Sequence, residues 1–419
     1  MQRLPYAITF LFPLQSILAA LGLRYALYGL LVGATAAFLL RAAVVGRSAT
    51  GFTPVWLFLT YVAVAALARP GLVALYGFLG YAQFALLWLG YLYAYGRIDL
   101  EALTRTNLRV ATLVAVIGTY QYFFNPTLWG FSTYVGVEAM YTGRELRINS
   151  VMPSAMTLGA YLVISALLGL TLSGRKVWTS VAVATCLAAA FLTGNKSTVF
   201  ALGVAVMYGL VDRGIRRHGL WGPLLYLSGA AVVYVVLLAA VGVWGPWLAG
   251  FNATLFRAVA PFFFTGETGE VSYLLAYWGM LFVFYGGGGI GAAMFGNGLG
   301  LTRQNTTFFG GDALGDFLVA ESFLVQVLFE VGVVGLLLLH VVLWRAFRRA
   351  RAERTPGRIG YDHVLAALYA NMIVVHVFSG VYLGFVWAYV VALLSERAEP
   401  VPPAVPEIGP EALAVPPVG

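Results

Sequence analysis

The chain has 419 residues, of which 61% are hydrophobic and only 10% are charged, and its formal net charge is +8. Soluble globular proteins carry about 25% charged residues, so this composition excludes a mostly water-exposed protein. The single cysteine, Cys186, excludes a disulfide framework. Because basic residues accumulate in the cytoplasmic loops of membrane proteins, the positive charge does not indicate nucleic acid as a partner.

Apolar stretches long enough to cross a bilayer follow one another along the chain, since a spanning helix needs about 20 mostly apolar residues. The sequence predicts an all-α, polytopic membrane helix bundle with about twelve transmembrane helices, which we take as a single domain over residues 1–395. The predicted spans lie near 6–22, 25–44, 52–68, 71–95, 107–124, 153–173, 177–194, 198–212, 220–247, 318–344, 362–378 and 381–395. Residues 396–419, which are rich in proline, are predicted to be a disordered cytoplasmic tail.

The distribution of basic residues predicts the orientation of these spans. With a cytoplasmic N-terminus, only seven of the 25 lysines and arginines fall on the outer side, as the excess of basic residues in cytoplasmic loops requires. Both termini are therefore expected in the cytoplasm, and the long segments 125–152 and 249–317 are expected outside. The apolar stretch 273–285 is predicted to be interfacial or re-entrant, because a thirteenth span there would move the arginines of 345–358 outside.

Seven basic residues are predicted on the outer side, against the general preference for the cytoplasmic side, and their presence there needs an explanation. We expect three of them to be solvated loop residues, namely Arg24, Arg69 and Arg144. The other four are predicted to converge on a lipid-linked diphosphate, namely Arg147, Lys196, Arg257 and Arg303. Arginine can donate two parallel hydrogen bonds to phosphate oxygens, and lysine acts as a point charge.

One carboxylate at the start of the predicted tenth span is a candidate general base. Glu321 is expected at its outer mouth, where a helix N-terminus favours a carboxylate; the alternative is a helix-start acid without a chemical role. Glu330 is predicted to be structural and to link helices, because a carboxylate inside the membrane needs a hydrogen-bonding partner. His376 is an alternative base. No metal-binding spacing of His, Cys, Asp or Glu is present, so no metal and no cofactor are expected.

Four segments carry a resemblance to a known family. They are Arg147 through Tyr161, Leu192-Thr-Gly-Asn-Lys-Ser197, Gly296-Asn-Gly-Leu-Gly300, and Glu321-Ser-Phe-Leu through Glu330-Val-Gly-Val-Val-Gly335. With these segments and its predicted topology, the chain resembles the O-antigen ligase and O-antigen polymerase superfamily of bacterial envelope glycosyltransferases, which are membrane proteins of the GT-C type. Ligases of this superfamily usually carry a histidine pair where this chain has Glu321-Ser322, so the resemblance is closer to the polysaccharide polymerases.

The resemblance implies an enzyme of the bacterial inner (plasma) membrane whose active site faces the periplasm or cell exterior. It would polymerise oligosaccharide repeat units carried on a polyprenyl (undecaprenyl) diphosphate into O-antigen or exopolysaccharide, by inverting glycosyl transfer without a metal. Glu321 would be the base, and the four outer cations would bind the diphosphate. The implied partners are the lipid-linked oligosaccharides, the lipid bilayer and a co-polymerase that regulates chain length.

Two other functions remain open at this point. One is an O-antigen ligase that transfers the finished glycan from polyprenyl diphosphate to lipid A core or to protein. The other is a secondary transporter, for which twelve spans are common. A transporter is expected to carry paired charges at the midplane or broken helices, whereas the unexplained charges of this chain are predicted at its outer face.

Overall fold

The structure is a computed structural model of the chain. It describes residues 3–14, 17–18, 21–45, 52–124, 141–142, 145–146, 148, 150–152, 155–172, 177–194, 196–218, 289–300, 323–354, 358–374 and 380–395.

The described chain is almost entirely helical. Its α-helices are α1 (Leu4–Leu11), α2 (Arg24–Val45), α3 (Thr53–Ala68), α4 (Leu72–Tyr95), α5 (Leu100–Phe123), α6 (Ala155–Thr171), α7 (Val177–Leu192), α8 (Lys196–His218), α9 (Phe323–Glu353), α10 (Tyr361–Val374) and α11 (Gly380–Ser395). A short helix lies at 289–295, and two-residue strands β1 (Tyr141–Thr142) and β2 (Glu145–Leu146) pair antiparallel. The predicted all-α class is confirmed for these residues.

Among the described residues, three helices, α2, α4 and α9, are long and apolar enough to cross a membrane. Local signals in the sequence set the boundary between α4 and α5. Gly96 ends α4 in the left-handed conformation and donates its N–H to the carbonyl of Leu92. Asp99 then caps α5 by accepting the N–H of Ala102 at 2.9 Å.

The helices pack as two connected groups. In one group α2 and α3 pack on α4, and α9 and α11 complete it; in the other, α5, α6 and α7 pack together, and α8 and α10 lie beside α6. The contact between α9 and α10 joins the two groups. Large side chains with almost no exposure fill the interior, among them Tyr81, Trp88 and Tyr161.

Most predicted spans have a matching helix. The first prediction, 6–22, is wrong as a single spanning helix, because α1 ends at Leu11 and a 3-10 turn follows over Phe12–Leu14. Pro13 cannot donate to a continuing helix, and a helix as short as α1 rises only about 12 Å. The predicted span 220–247, the predicted re-entrant stretch 273–285 and the tail lie outside the described residues. The total of twelve spans and the cytoplasmic termini stay predictions.

Helix α9 is not the straight span predicted over 318–344. Gly332 has φ 68° and ψ −172°, which breaks the helix into a first arm, 323–331, and a second arm, 333–353. Phe323 and Leu339 line the same small apolar cavity, although residues 16 apart on a straight helix are separated by about 24 Å. The chain therefore turns sharply at Gly332 and brings the first arm close to the second.

Candidate functional site

The predicted site residues fall largely outside the part of the chain that the structure describes. Glu321, Arg147, Arg257, Arg303 and the alternative base His376 all lie outside it. Lys196 is described as the first residue of α8, but its side chain is not described. The structure does describe short segments within three positions of Glu321, Arg147, Lys196, Arg303 and His376, but none next to Arg257.

A glycine-rich loop caps the break in α9. The N–H of Asn297 donates to the carbonyl of Phe329 at 2.8 Å, and the N–H of Gly298 donates to the carbonyl of Glu330 at 3.3 Å. From α3, the hydroxyl of Tyr61 donates to the carbonyl of Val331 at 2.8 Å. The last carbonyls of a helix have no partner within the helix, and a buried carbonyl without a donor is costly. These three donors satisfy the end of the first arm.

Two glycines allow this close approach of loop and helix. Gly296 (φ 84°) and Gly332 (φ 68°) both have the left-handed backbone that glycine adopts most readily. A Cβ on Gly332 would lie 2.5 Å from the nitrogen of Gly296, and a Cβ on Gly296 would lie 2.6 Å from the nitrogen of Val331. The predicted loop signature and the predicted motif in α9 are therefore in direct backbone contact.

The same loop is fastened to the turn between α3 and α4. The guanidinium of Arg69, which follows α3, donates to the carbonyl of Asn297. At the start of α4, a Cβ on Gly77 would lie 2.6 Å from the nitrogen of Gly300. The side chain of Arg69 is exposed, as expected of a solvated loop residue, and it also donates to a carbonyl 228 positions away.

Glu330 occupies the interior of the bundle on the first arm of α9. Its Oε2 accepts the hydroxyl of Tyr81 from α4 at 2.9 Å, and its Oε1 lies 3.3 Å from Nε2 of Gln326, one turn earlier. Glu330 and Gln326 have no exposed surface. The prediction that Glu330 links helices is confirmed, because its carboxyl group joins the first arm of α9 to α4.

The turn that carries Lys196 rests on α6. Gly194 has φ 62°, which turns the chain between α7 and α8. A Cβ on Gly159 would lie 2.9 Å from Oγ1 of Thr193 and still closer to Oγ1 of Thr198. Both hydroxyls are buried, so the end of α7 and the first turn of α8 are held against the backbone of α6. Gly159 belongs to the segment that begins at Arg147, so these two family-like segments are also in contact.

The chain just after Arg147 is fixed to α5. Ser150 has φ 51°, a conformation that is rare for a residue other than glycine. Its N–H donates to Oε1 of Gln121 and its Oγ to the carbonyl of Val114, both at 2.8 Å. Ile148 is fully buried. Unusual backbone conformations persist where the surroundings over-determine them and are frequent near functional sites.

A second polar cluster, at the other ends of the helices, was missed by sequence reasoning. Arg354 at the end of α9 binds Asp212 of α8, and its Nη1 lies 2.6 Å from Oδ2 of Asp362 on α10. Tyr208 also donates to Asp362, at 2.8 Å, and His363 lies beside it. The side chain of Arg354 is only 3% exposed. The basic run 345–358 indicated orientation, and nothing in it distinguished the one arginine that is buried.

Contacts between described residues therefore join the four family-like segments in two pairs. Gly159 packs on the turn before Lys196, and the loop 296–300 caps the break in α9. Each pair can hold side chains from separate parts of the sequence in fixed positions. No protein-family model matches the chain, and no curated protein matches it either.

Proposed function

We propose that this protein is a polysaccharide polymerase that joins oligosaccharide repeat units carried on polyprenyl diphosphate. The observation that carries the proposal is the pairing of the four family-like segments, which lie far apart in sequence. A set of loose motifs could resemble a family by chance along the chain, but chance does not explain backbone contacts between them. Gly296 against Gly332 is such a contact, and Gly159 lies against the buried side-chain hydroxyl of Thr193.

The proposed reaction is an inverting glycosyl transfer. A sugar hydroxyl of one lipid-linked repeat unit attacks the anomeric carbon of the glycan on a second polyprenyl diphosphate. The C–O bond to the diphosphate breaks as the new glycosidic bond forms, and Glu321 takes the hydroxyl proton as general base. Negative charge grows on the leaving diphosphate, so cations placed there stabilise the transition state. We assign that role to Arg147, Lys196, Arg257 and Arg303.

The described segments beside Glu321, Lys196 and Arg147 are compatible with the roles proposed for these residues. The first arm of α9 begins at Phe323, two residues after Glu321, and Phe323 is buried beside Tyr81. Lys196 opens α8, and the N-terminus of a helix attracts anions. Arg147 precedes by three positions the residue Ser150 that α5 holds in place. Glu321, Lys196 and Arg147 are thus close in sequence to a backbone that tertiary contacts fix, whereas Arg257 lies in a part of the chain that the structure does not describe.

The proposed location is the bacterial inner membrane, with the site on its outer side. The apolar helices would accommodate the polyprenyl chains, and external aromatic residues would stack on sugar rings. The partners are the lipid-linked repeat units, the bilayer and a co-polymerase that limits chain length. No nucleotide enters the reaction, because the diphosphate bond of the donor already supplies the leaving group.

The test is polymer formation by the purified full chain in liposomes. Lipid-linked repeat units alone should give a ladder of products, and Glu321→Gln should abolish the ladder while the protein stays folded. Glu101→Gln is the matched control, because Glu101 is an exposed carboxylate paired with Arg105 on α5; it should polymerise like the parent. A Glu321→Gln protein that makes the ladder at the parental rate would overturn the assignment of the base.

The ligase alternative is separated in the same liposomes. A ligase gives no product from lipid-linked repeat units until lipid A core or a protein acceptor is added, whereas a polymerase needs neither. A single transferred glycan on an added acceptor, without any ladder, would replace the polymerase proposal by the ligase.

One specific observation favours the transporter as a second candidate. The break at Gly332 creates a discontinuous helix, and the buried carboxyl group of Glu330 lies on its first arm; transporters build their sites from such helices. Proteoliposomes with an imposed pH gradient and an internal pH dye test it. A transporter that couples to protons should collapse the gradient in the parent and not in Glu330→Gln, whereas the polymerase should leave it intact in both.

A further inference from the structure

We infer that Arg345 and Arg348, near the C-terminal end of α9, bind the headgroups of anionic phospholipids at the membrane surface. The contact is separate from the proposed reaction, because it needs only that α9 crosses a membrane, and this helix is long and apolar enough to do so. Three features of α9 support it: the order of side chains along its exposed face, an aromatic contact that fixes this face, and positive charge that no described carboxylate balances.

One exposed stripe of side chains runs along the second arm of α9. Its members are alternately four and three positions apart, a spacing that puts them on one face of a helix with 3.6 residues per turn. They are Leu337, Val341, Trp344, Arg348 and Arg351, and all five are exposed. Arg345, also exposed, borders the stripe four positions after Val341. Buried residues between 339 and 350 occupy the opposite face and pack on the bundle.

The polarity of this stripe changes in the order that a bilayer surface requires. Leu337 and Val341 suit the hydrocarbon, and Trp344 is of the type that is enriched at membrane–water interfaces. A helix rises 1.5 Å per residue, so Arg348 lies about 6 Å and Arg351 about 10 Å beyond Trp344 along the axis. The headgroup layer is roughly 5–8 Å thick on each side of the hydrocarbon. Arg348 therefore falls within this layer, and Arg351 lies at its outer edge.

The level of Trp344 on the protein is fixed by aromatic contacts. Its ring stacks on the ring of Phe347, with centroids 5.7 Å apart and planes 16° apart. The ring of Phe347 in turn meets the ring of Tyr208 on α8 edge-on, at 5.5 Å. The side chain that marks the hydrocarbon boundary is thus held against a second helix, and the arginines beyond it have a fixed height above that boundary.

The positive charge of Arg345 and Arg348 is not balanced within the described part of the chain. Their neighbour Arg349 pairs with Glu353, and Arg354 is buried between carboxylates of two other helices. No carboxylate among the described residues pairs with Arg345 or Arg348. A guanidinium can donate two parallel hydrogen bonds to phosphate oxygens, and basic residues beside a spanning helix are attracted to anionic lipids. These two arginines therefore match an anionic headgroup.

Lipid binding by the purified full chain tests the inference. Native mass spectrometry of the protein released from detergent counts bound dioleoyl phosphatidylglycerol or dioleoyl phosphatidylcholine, and titration gives their dissociation constants. The parent should bind the anionic lipid more tightly. Arg345→Gln combined with Arg348→Gln should weaken phosphatidylglycerol binding about ten- to thirtyfold, since each basic residue near an anionic surface contributes about fivefold, and should leave phosphatidylcholine binding unchanged. Arg351 is kept, because it also lies 3.4 Å from Asp212.

Arg349→Gln is the matched control, because Glu353 already balances the charge of Arg349 on the same turn of the helix. It should bind phosphatidylglycerol within about twofold of the parent. Arg345→Lys combined with Arg348→Lys should keep most of the affinity, because the attraction to the surface depends on charge. A lysine pair that binds as weakly as the glutamine pair would contradict the electrostatic contact.

Three further results would overturn the inference. The first is equal phosphatidylglycerol binding by the glutamine pair and the parent. The second is an equal loss for phosphatidylcholine, because that loss would come from a disturbed apolar surface and not from lost charge. The third is displacement of phosphatidylglycerol by dissolved glycerol 3-phosphate at millimolar concentration, which would identify a site for a soluble phosphate; a lipid-surface contact should be unaffected.

Discussion

The backbone nitrogen of Gly296 would lie 2.5 Å from a Cβ on Gly332, so the glycine-rich loop and the break in α9 touch where neither has a side chain. This contact lies at the break in α9, and the loop satisfies the last carbonyls before that break. The contact joins the glycine-rich loop and the break in α9, which are more than thirty positions apart in the sequence, and the proposed site lies next to this junction in the sequence.

Gly332→Ala should destabilise this junction strongly. Left-handed backbone costs a residue with a Cβ about 1–2 kcal/mol, and the new methyl group would also collide with the backbone of the loop. The thermal unfolding midpoint in detergent should fall, and the yield of folded protein with it.

Gly33→Ala is the control for Gly332→Ala, because a Cβ on Gly33 meets nothing within 4 Å on helix α2. Alanine is the better helix former by up to about 1 kcal/mol, so this variant should match the parent or unfold slightly later. Equal midpoints for Gly332→Ala and the parent would contradict the described break in α9.

Tyr81→Phe should destabilise the bundle by about 1–3 kcal/mol. It removes the hydroxyl that donates to Oε2 of Glu330, and removing one donor from a buried carboxyl group costs part of the free energy that offsets its desolvation. Tyr93→Phe is the comparison, because the hydroxyl of Tyr93 meets Trp56 in an exposed contact. Thermal unfolding in detergent measures both, and a larger loss in Tyr93→Phe would count against a structural role for Glu330.

Gly159→Ala should impair polymer formation through the turn that carries Lys196. The added methyl group would meet Oγ1 of Thr193 at 2.9 Å and Oγ1 of Thr198 still closer, so the turn must shift away from α6. We expect the rate of ladder formation to fall at least about tenfold, because a displacement of about 1 Å at a positioned group can cost that much or more.

Gly203→Ala on α8 is the control for Gly159→Ala, since a Cβ on Gly203 has open space around it. It should form polymer like the parent. A Gly159→Ala protein with the parental rate would show that the turn does not position a group of the site.

The sequence predicted what depends on local pattern and missed what depends on distant contacts. Runs of apolar residues were enough to predict α4 and α5, and a buried carboxyl group at Glu330 was enough to predict a helix-linking role. The break at Gly332 gave no signal, because glycine is common in membrane helices and this one is broken by packing against Gly296. Arg69 was indistinguishable from a solvated arginine, because its partner lies 228 positions away.

Arg354→Ala should be among the most destabilising single changes in the polar cluster that joins α8, α9 and α10. Arg354 joins the carboxylates of Asp212 and Asp362, which are 8% and 0% exposed. Its removal leaves two buried carboxylates without their shared cation, and breaking a buried ion pair costs about 3–5 kcal/mol.

Arg345→Ala is the control, because Arg345 is an exposed position on the same helix, and it should change the unfolding midpoint little. Asp212→Asn combined with Arg354→Met removes charges from both sides and should recover part of the loss. A midpoint for Arg354→Ala equal to that of Arg345→Ala would show that this cluster does not hold α8, α9 and α10 together.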